Sequence, residues 1–154
     1  MRELPHTRSC FVCGEANPHG LRLRFATDGR VVHTRFTPGA QHAGFQGVVH
    51  GGILATVLDE IMVWACAVQA RKFAFCAEMT VRFQRPAVPG VELIAEAEQV
   101  ANRRGRVFEA KSVLRNSAGE ELASATGKYM PIRAVDLAEL QRDMVGDPGW
   151  VLGS

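Results

Sequence analysis

The chain lacks any strong charge bias. Its 18 Lys and Arg stand against 16 Asp and Glu, a formal net charge of +2 over 154 residues. That balance gives no bulk electrostatic attraction to nucleic acid or to an anionic membrane surface, and neither is expected as a partner. The first residues, MRELPHTRSC, lack the apolar stretch of a secretory leader, so a cytoplasmic location is expected, where disulfides are disfavoured. Repeats, low-complexity tracts and linker-like segments are missing too, which argues for one domain. Cysteines are few: four in all. Cys66 and Cys76 fall in apolar runs and read as core thiols. Cys10 and Cys13 form a CxxC, but a zinc site needs four ligands, and only His6 and His19 flank the pair. Without a second CxxC the stretch reads first as a structural turn, with metal binding by Cys10 and Cys13 as the alternative, and no metal or organic cofactor is assigned.

The chain does contain one long apolar run. From residue 51 to 70 the only charges are Asp59 and Glu60. The length suits a membrane span, but a carboxylate at a bilayer centre costs about 2.5–3.5 kcal/mol. A helix apolar nearly all round is otherwise one wrapped inside a core. The run opens with VHGGILATVLDE, a histidine and two glycines ahead of two carboxylates. A buried carboxylate is costly unless paired, hydrogen-bonded or protonated, so these two demand partners.

Beyond residue 70 the period changes from 3.6 to 2. In Glu92-Leu93-Ile94-Ala95-Glu96-Ala97-Glu98 the glutamates share one face and the apolar residues the other. Residues 106–115 alternate as well, and Asn102-Arg103-Arg104-Gly105 reads as a hairpin turn. With 75–84 and 120–130 this gives four consecutive antiparallel strands. Ahead of the helix, 21–25 and 30–36 alternate about a turn at Asp28-Gly29. The expected architecture is α+β: one long buried helix wrapped by a curved antiparallel sheet of about six strands. Residues 1–20 form an N-terminal extension carrying the CxxC, 21–133 the main domain, and 134–154 a short exposed helix over 137–144 with a tail.

His50-Gly51-Gly52, with Asp59 nine positions after the histidine, resembles the signature of hotdog-fold acyl-CoA thioesterases of the PaaI-like kind. The resemblance runs from about residue 21 to 130 and includes the strand end Arg82-Phe83-Gln84-Arg85-Pro86. It implies hydrolysis of an acyl-CoA thioester to free acid and coenzyme A. The residues agree with that chemistry. Gly51 and Gly52 at a helix start leave unpaired N–H groups at the positive end of the dipole, suited to an oxyanion. His50 shapes the loop or bonds near the carbonyl. Asp59 is general base or nucleophile. Glu60, about 100° further round the helix, is expected to form a salt bridge with an arginine and stands as a second candidate base. Each also has a structural reading: His50 as a helix cap, the glycines as sites of close packing, Asp59 as a carboxylate held by backbone donors.

Two positions depart from the family pattern. An asparagine often found six residues before the histidine is here Gly44, with Gln46, Gln41 and His42 as nearby substitutes. A hydroxyl in the following strand is here Cys76. Gly52, Phe45, Arg82 and Arg85 complete the expected substrate contacts. Phe45, Leu58, Met62 and Trp64 are candidates for an acyl slot, and Arg103, Arg104, Arg106 and Lys111 are further candidates for the phosphates of coenzyme A.

Geometry adds a constraint. Gly51 and Asp59 lie about 12 Å apart along one helix at 1.5 Å per residue, whereas a reacting carbon must sit about 3 Å from both catalytic groups. A two-fold dimer with neighbouring antiparallel helices satisfies both, so a homodimer is expected, or a tetramer of stacked dimers. The alternatives are a non-catalytic acyl-CoA-binding or regulatory dimer and, against the motif spacing, a hydratase or dehydratase.

Overall fold

The computed structural model of the chain describes residues 1–149. One helix, α1 (Gly51–Ala70), packs across a curved antiparallel sheet. The chain reaches it through β1 (Arg2–Glu3), β2 (His6–Thr7), β3 (Phe25–Thr27) and β4 (Val32–Phe36), followed by a 3-10 turn at Ala40–His42. After α1 come β5 (Ala74–Phe83), β6 (Leu93–Arg103), β7 (Val107–Asn116), β8 (Glu121–Pro131), α2 (Ala134–Arg142) and β9 (Met144–Val145). The apolar run of α1 contains no proline to break it. The helix stops at Arg71, whose left-handed backbone (φ 58°) turns its N–H back to the carbonyl of Ala67.

The main sheet has seven strands in the order β1-β3-β4-β6-β7-β8-β5. It is one strand larger than expected because β1 adds itself beside β3, while β2 and β9 pair as a separate two-stranded sheet. The four long strands are not one meander. β6, β7 and β8 follow one another, but β5 pairs with β8 at the sheet edge. Proline explains the jump. The link after β5 carries Pro86 and Pro89, cannot form a tight hairpin, and crosses the start of α1, where Ala87 accepts the Val49 N–H and Gly90 donates to Pro38.

The first expected strand also starts late. Leu21 and Leu23 give their N–H groups to the carbonyls of Phe11 and Val12, and Arg22 between them is left-handed, so pairing with β4 begins only at Phe25. These bonds fold residues 8–24 into a compact loop that inserts Val12, Cys13 and Leu23 into the core. Asn17 closes its turn by accepting the His19 N–H on Oδ1.

By length and composition α1 could cross a membrane, but β4 to β8 wrap it. Val57, Leu58, Ile61, Met62, Ala65, Cys66 and Ala67 are fully enclosed. Leu58, Met62 and Trp64 are therefore core residues, not lining of an acyl slot. Trp64 stacks between Phe25 and Phe73. The short C-terminal helix begins three residues earlier than expected, with Arg133 bonded to Asp136 across its first turn. Part of the expected tail, 150–154, lies outside the described residues.

Candidate active site

The start of α1 is built by its own cap. His50 takes the cap position, and its Nδ1 accepts the Gly52 N–H at 2.8 Å. Glycine at 52 makes room for the ring: a Cβ there would lie 2.9 Å from Nδ1. Gly52 therefore has no donor left for a ligand. The Gly51 N–H is different, since no acceptor meets it among the described residues. It opens beside a groove of about 670 Å³ lined by Gly44, Phe45, Val49, Leu54, Phe83 and Arg85, with His50 at its rim. Phe45 is 87% exposed and Phe83 53%. Gly44 packs on His50, where a Cβ would come within 3.2 Å of the imidazole Cδ2. Gln46 is exposed on the neighbouring turn, outside the groove lining. His42 accepts the Gly39 N–H and stacks on Phe36, so it does not stand in for an asparagine.

Asp59 occupies a second place, two turns along the helix. Its Oδ1 accepts a hydrogen bond at 2.8 Å from the hydroxyl of Tyr129, which lies 3.3 Å from the Asp59 carbonyl as well. Ser112 of β7 donates to the carbonyl of Leu58, so two sheet side chains meet this turn of α1. Cys76 adjoins both Asp59 and Tyr129, brought there by an irregularity in the β5–β8 register between Cys76 and Glu78. Burial and the neighbouring carboxylate push the Cys76 thiol and the Tyr129 phenol upward, so both are neutral donors at neutral pH.

The helix thus carries an unpaired N–H donor at its start and an oriented carboxylate about 12 Å further on. A model of the thioesterase superfamily matches residues 46–123, half of the chain, and spans both. The chain belongs to the thioesterase superfamily. Among solved structures, a thioesterase superfamily protein aligns at 25% identity with a TM-score of 0.73, covering 80% of this chain and 60% of its own length. The E. coli PaaI protein from the phenylacetic acid degradation operon aligns at 23% identity, TM-score 0.68, over 77% of this chain and 86% of that one. A Streptococcus mutans UA159 protein bound to acetyl CoA aligns at 16%, TM-score 0.66, over 71% and 88%. No curated protein matches significantly. These likenesses carry the hotdog fold expected from the sequence.

In this thioesterase-superfamily chain the remaining expected site residues lie away from the Asp59 cluster, and of these Arg85 still lines the Gly51 groove. Among the described residues no arginine pairs with Glu60. Its Oε1 faces two thiols, Cys10 Sγ at 3.6 Å and Cys13 Sγ at 3.5 Å, on a different side of α1 from the Tyr129–Asp59 contact. The expected salt bridge is replaced because the folded N-terminal loop covers that side, which also takes Glu60 away from the Asp59 cluster. Desolvation first, then the charge on Cys10, raises the Glu60 carboxyl to about 8. Arg85 is paired with Glu120, Arg103 with Glu109 and Lys111 with Glu98. Arg82 lines a groove of about 680 Å³ on the outer sheet face, with no acidic partner among the described residues.

Tyr129 escaped the sequence reading. It is the chain's single tyrosine, wholly buried, and the one hydroxyl bonded to Asp59. A signal was present in Gly127, a glycine inside a strand two residues away. A Cβ at Gly127 would lie 2.6 Å from the Tyr129 ring, so the glycine lets the phenol lie along its own strand toward α1.

Proposed function

We propose that this protein hydrolyses acyl-CoA thioesters in a homodimer, each site pairing the Gly51 N–H of one copy with the Asp59 carboxylate of the other. The observation that carries this reading is the unshared Gly51 N–H opening on an apolar groove, while His50 takes the Gly52 donor. One donor at the positive end of a helix polarises the thioester carbonyl and holds the oxyanion that forms on attack. Asp59, oriented by Tyr129, either deprotonates water or attacks the carbonyl carbon. If water attacks, the C–S bond breaks and coenzyme A leaves as a thiol beside the free acid; if Asp59 attacks, coenzyme A leaves first and water then cleaves the Asp59–acyl anhydride, releasing the acid and restoring the carboxylate.

Two features support the second copy. β5 is a ten-residue strand with one edge unpaired in a single chain, and such an edge calls for a partner. Phe45 and Phe83 are exposed beside the Gly51 groove, where an apolar neighbour would bury them. The acetyl CoA carried by the streptococcal structure supports the choice of thioester. The four free thiols fit the reducing cytoplasm we propose as its location.

The test is thiol release from short, medium, long and aromatic acyl-CoAs by wild type and Asp59→Asn. Loss of turnover in the variant, with acyl-CoA still retained, supports the reading. Retention by wild type without thiol release from any of them points to the binding protein instead. Gly44 and Cys76, in place of an amide and a hydroxyl, are the features that favour that alternative.

A further inference from the structure

The CxxC and Glu60 take no part in the proposed hydrolysis, yet they form the closest gathering of metal-ligating atoms among the described residues. Cys10 Sγ, Cys13 Sγ and a Glu60 carboxylate oxygen all lie within 4.8 Å of one another. They come from segments 47 and 50 residues apart, joined only by the fold. We propose that Cys10, Cys13 and Glu60 bind one zinc-class cation, fastening the N-terminal loop to α1.

Distances come first. Around tetrahedral zinc, with Zn–S about 2.3 Å and Zn–O about 2.0 Å, sulfur and oxygen ligands sit about 3.5 Å apart. The two sulfurs are 3.6 and 3.5 Å from the same Glu60 oxygen. Both S···O separations already match those of a tetrahedral zinc site, and the two sulfurs lie within 4.8 Å of each other.

Local structure comes next. The Val12 N–H points at Cys10 Sγ at 3.2 Å, and the Gly14 N–H closes the turn onto the Cys10 carbonyl at 2.8 Å. An N–H directed at a sulfur is the outer-layer support that holds a thiolate ligand in place. Gly14 is obligatory, since a Cβ would fall 2.3 Å from the Arg8 carbonyl oxygen. Arg24 reaches the carbonyl of Cys13 and not its thiol.

Charge is the third argument. Two thiols and a carboxyl, all anionic once deprotonated, converge, and among the described residues no basic side chain is bonded to any of them. Two sulfurs and one carboxylate select zinc over magnesium or calcium, which prefer all-oxygen sites. His6 and His19 are not ligands, since His6 is engaged by Glu15 at 2.6 Å and neither joins the cluster. A water molecule would complete the fourth position from the side of the half-buried Cys10. The proposal does not depend on hydrolysis, and its test does not use it.

The experiment titrates Co²⁺, then Zn²⁺, into untagged, reduced, metal-stripped full-length chain. One ion per chain is expected, with thiolate-to-cobalt charge transfer and tetrahedral visible bands. Cys10→Ser and Cys13→Ser should each weaken binding about 100-fold or more, and Glu60→Gln about 10-fold or more. As a check on wild type alone, Zn²⁺ should shield the half-buried Cys10, but not the half-buried Cys76, from alkylation read by mass spectrometry. The proposal is overturned if reduced wild type binds no ion, or if the variants bind as tightly as wild type. It is also overturned if Zn²⁺ leaves Cys10 as reactive as before.

Discussion

Replacing Gly51 by proline deletes one hydrogen-bond donor with little expected harm to the helix. Gly51 is the first residue of α1, where an N–H has no intrahelical partner, so proline removes nothing the helix uses. The preceding residue must be extended, and His50 already is, at φ −59° and ψ 132°. Losing one oxyanion donor costs about 2.7–4 kcal/mol, a drop of roughly 10²–10³ in kcat. Gly51→Ala is the control. It keeps the N–H and adds a Cβ in ordinary contact with the Phe83 ring, 3.4 Å away. Thiol release should fall by that factor in the proline variant and by no more than a few-fold in the alanine variant. Thermal midpoints should stay within about 2–4 °C of wild type, the equivalent of ~1 kcal/mol for a chain of this size. Equal activity of the two variants, high or low, would refute the role given to the Gly51 N–H.

Two further outcomes follow from the Asp59 cluster. In a double-mutant cycle of Tyr129→Phe with Asp59→Ala, which removes the acceptor, urea unfolding at fixed chain concentration should give a coupling of about 1.5–3 kcal/mol, the strength of a hydrogen bond to a charged acceptor. A coupling below about 0.5 kcal/mol would mean that the hydroxyl does not hold the carboxylate. Gly127→Ala should destabilise by about 1–3 kcal/mol, because its methyl overlaps the Tyr129 ring, and should lower kcat more than it alters KM. An unchanged unfolding midpoint would show that the ring has room to move.

What the sequence made legible was local. The helix could be read because its apolar run is unbroken, and Asp59 and Gly51 because their spacing lies within that one element. The shielding of Gly52 could not be read in the same way, since it depends on the tilt of one imidazole. The expectation of an arginine for Glu60 rests only on its position about 100° round the helix from Asp59, which says nothing of what packs there. The true neighbours of Glu60 lie 47 and 50 residues earlier, in a loop whose path is set by Leu21 and Leu23 bonding back to Phe11 and Val12. The place of β5 was equally hidden, because alternation reports which face of a strand is buried and not which strand lies beside it. Tyr129 looked like any aromatic residue in a strand until Gly127 was seen to clear the space over which its ring lies.

The length of α1 has a genetic consequence. On the paired-site reading, each copy lends its first turn to one centre and its third turn to the other. A lesion at either end of the helix then spoils one centre of a mixed pair and leaves intact the other, which the faulty copy still helps to build. Lesions at opposite ends, carried by different copies, fall together in one centre and leave the other whole. Inheritance at this locus would therefore be counted in pairs of chains, with two separately dead alleles able to rescue one another.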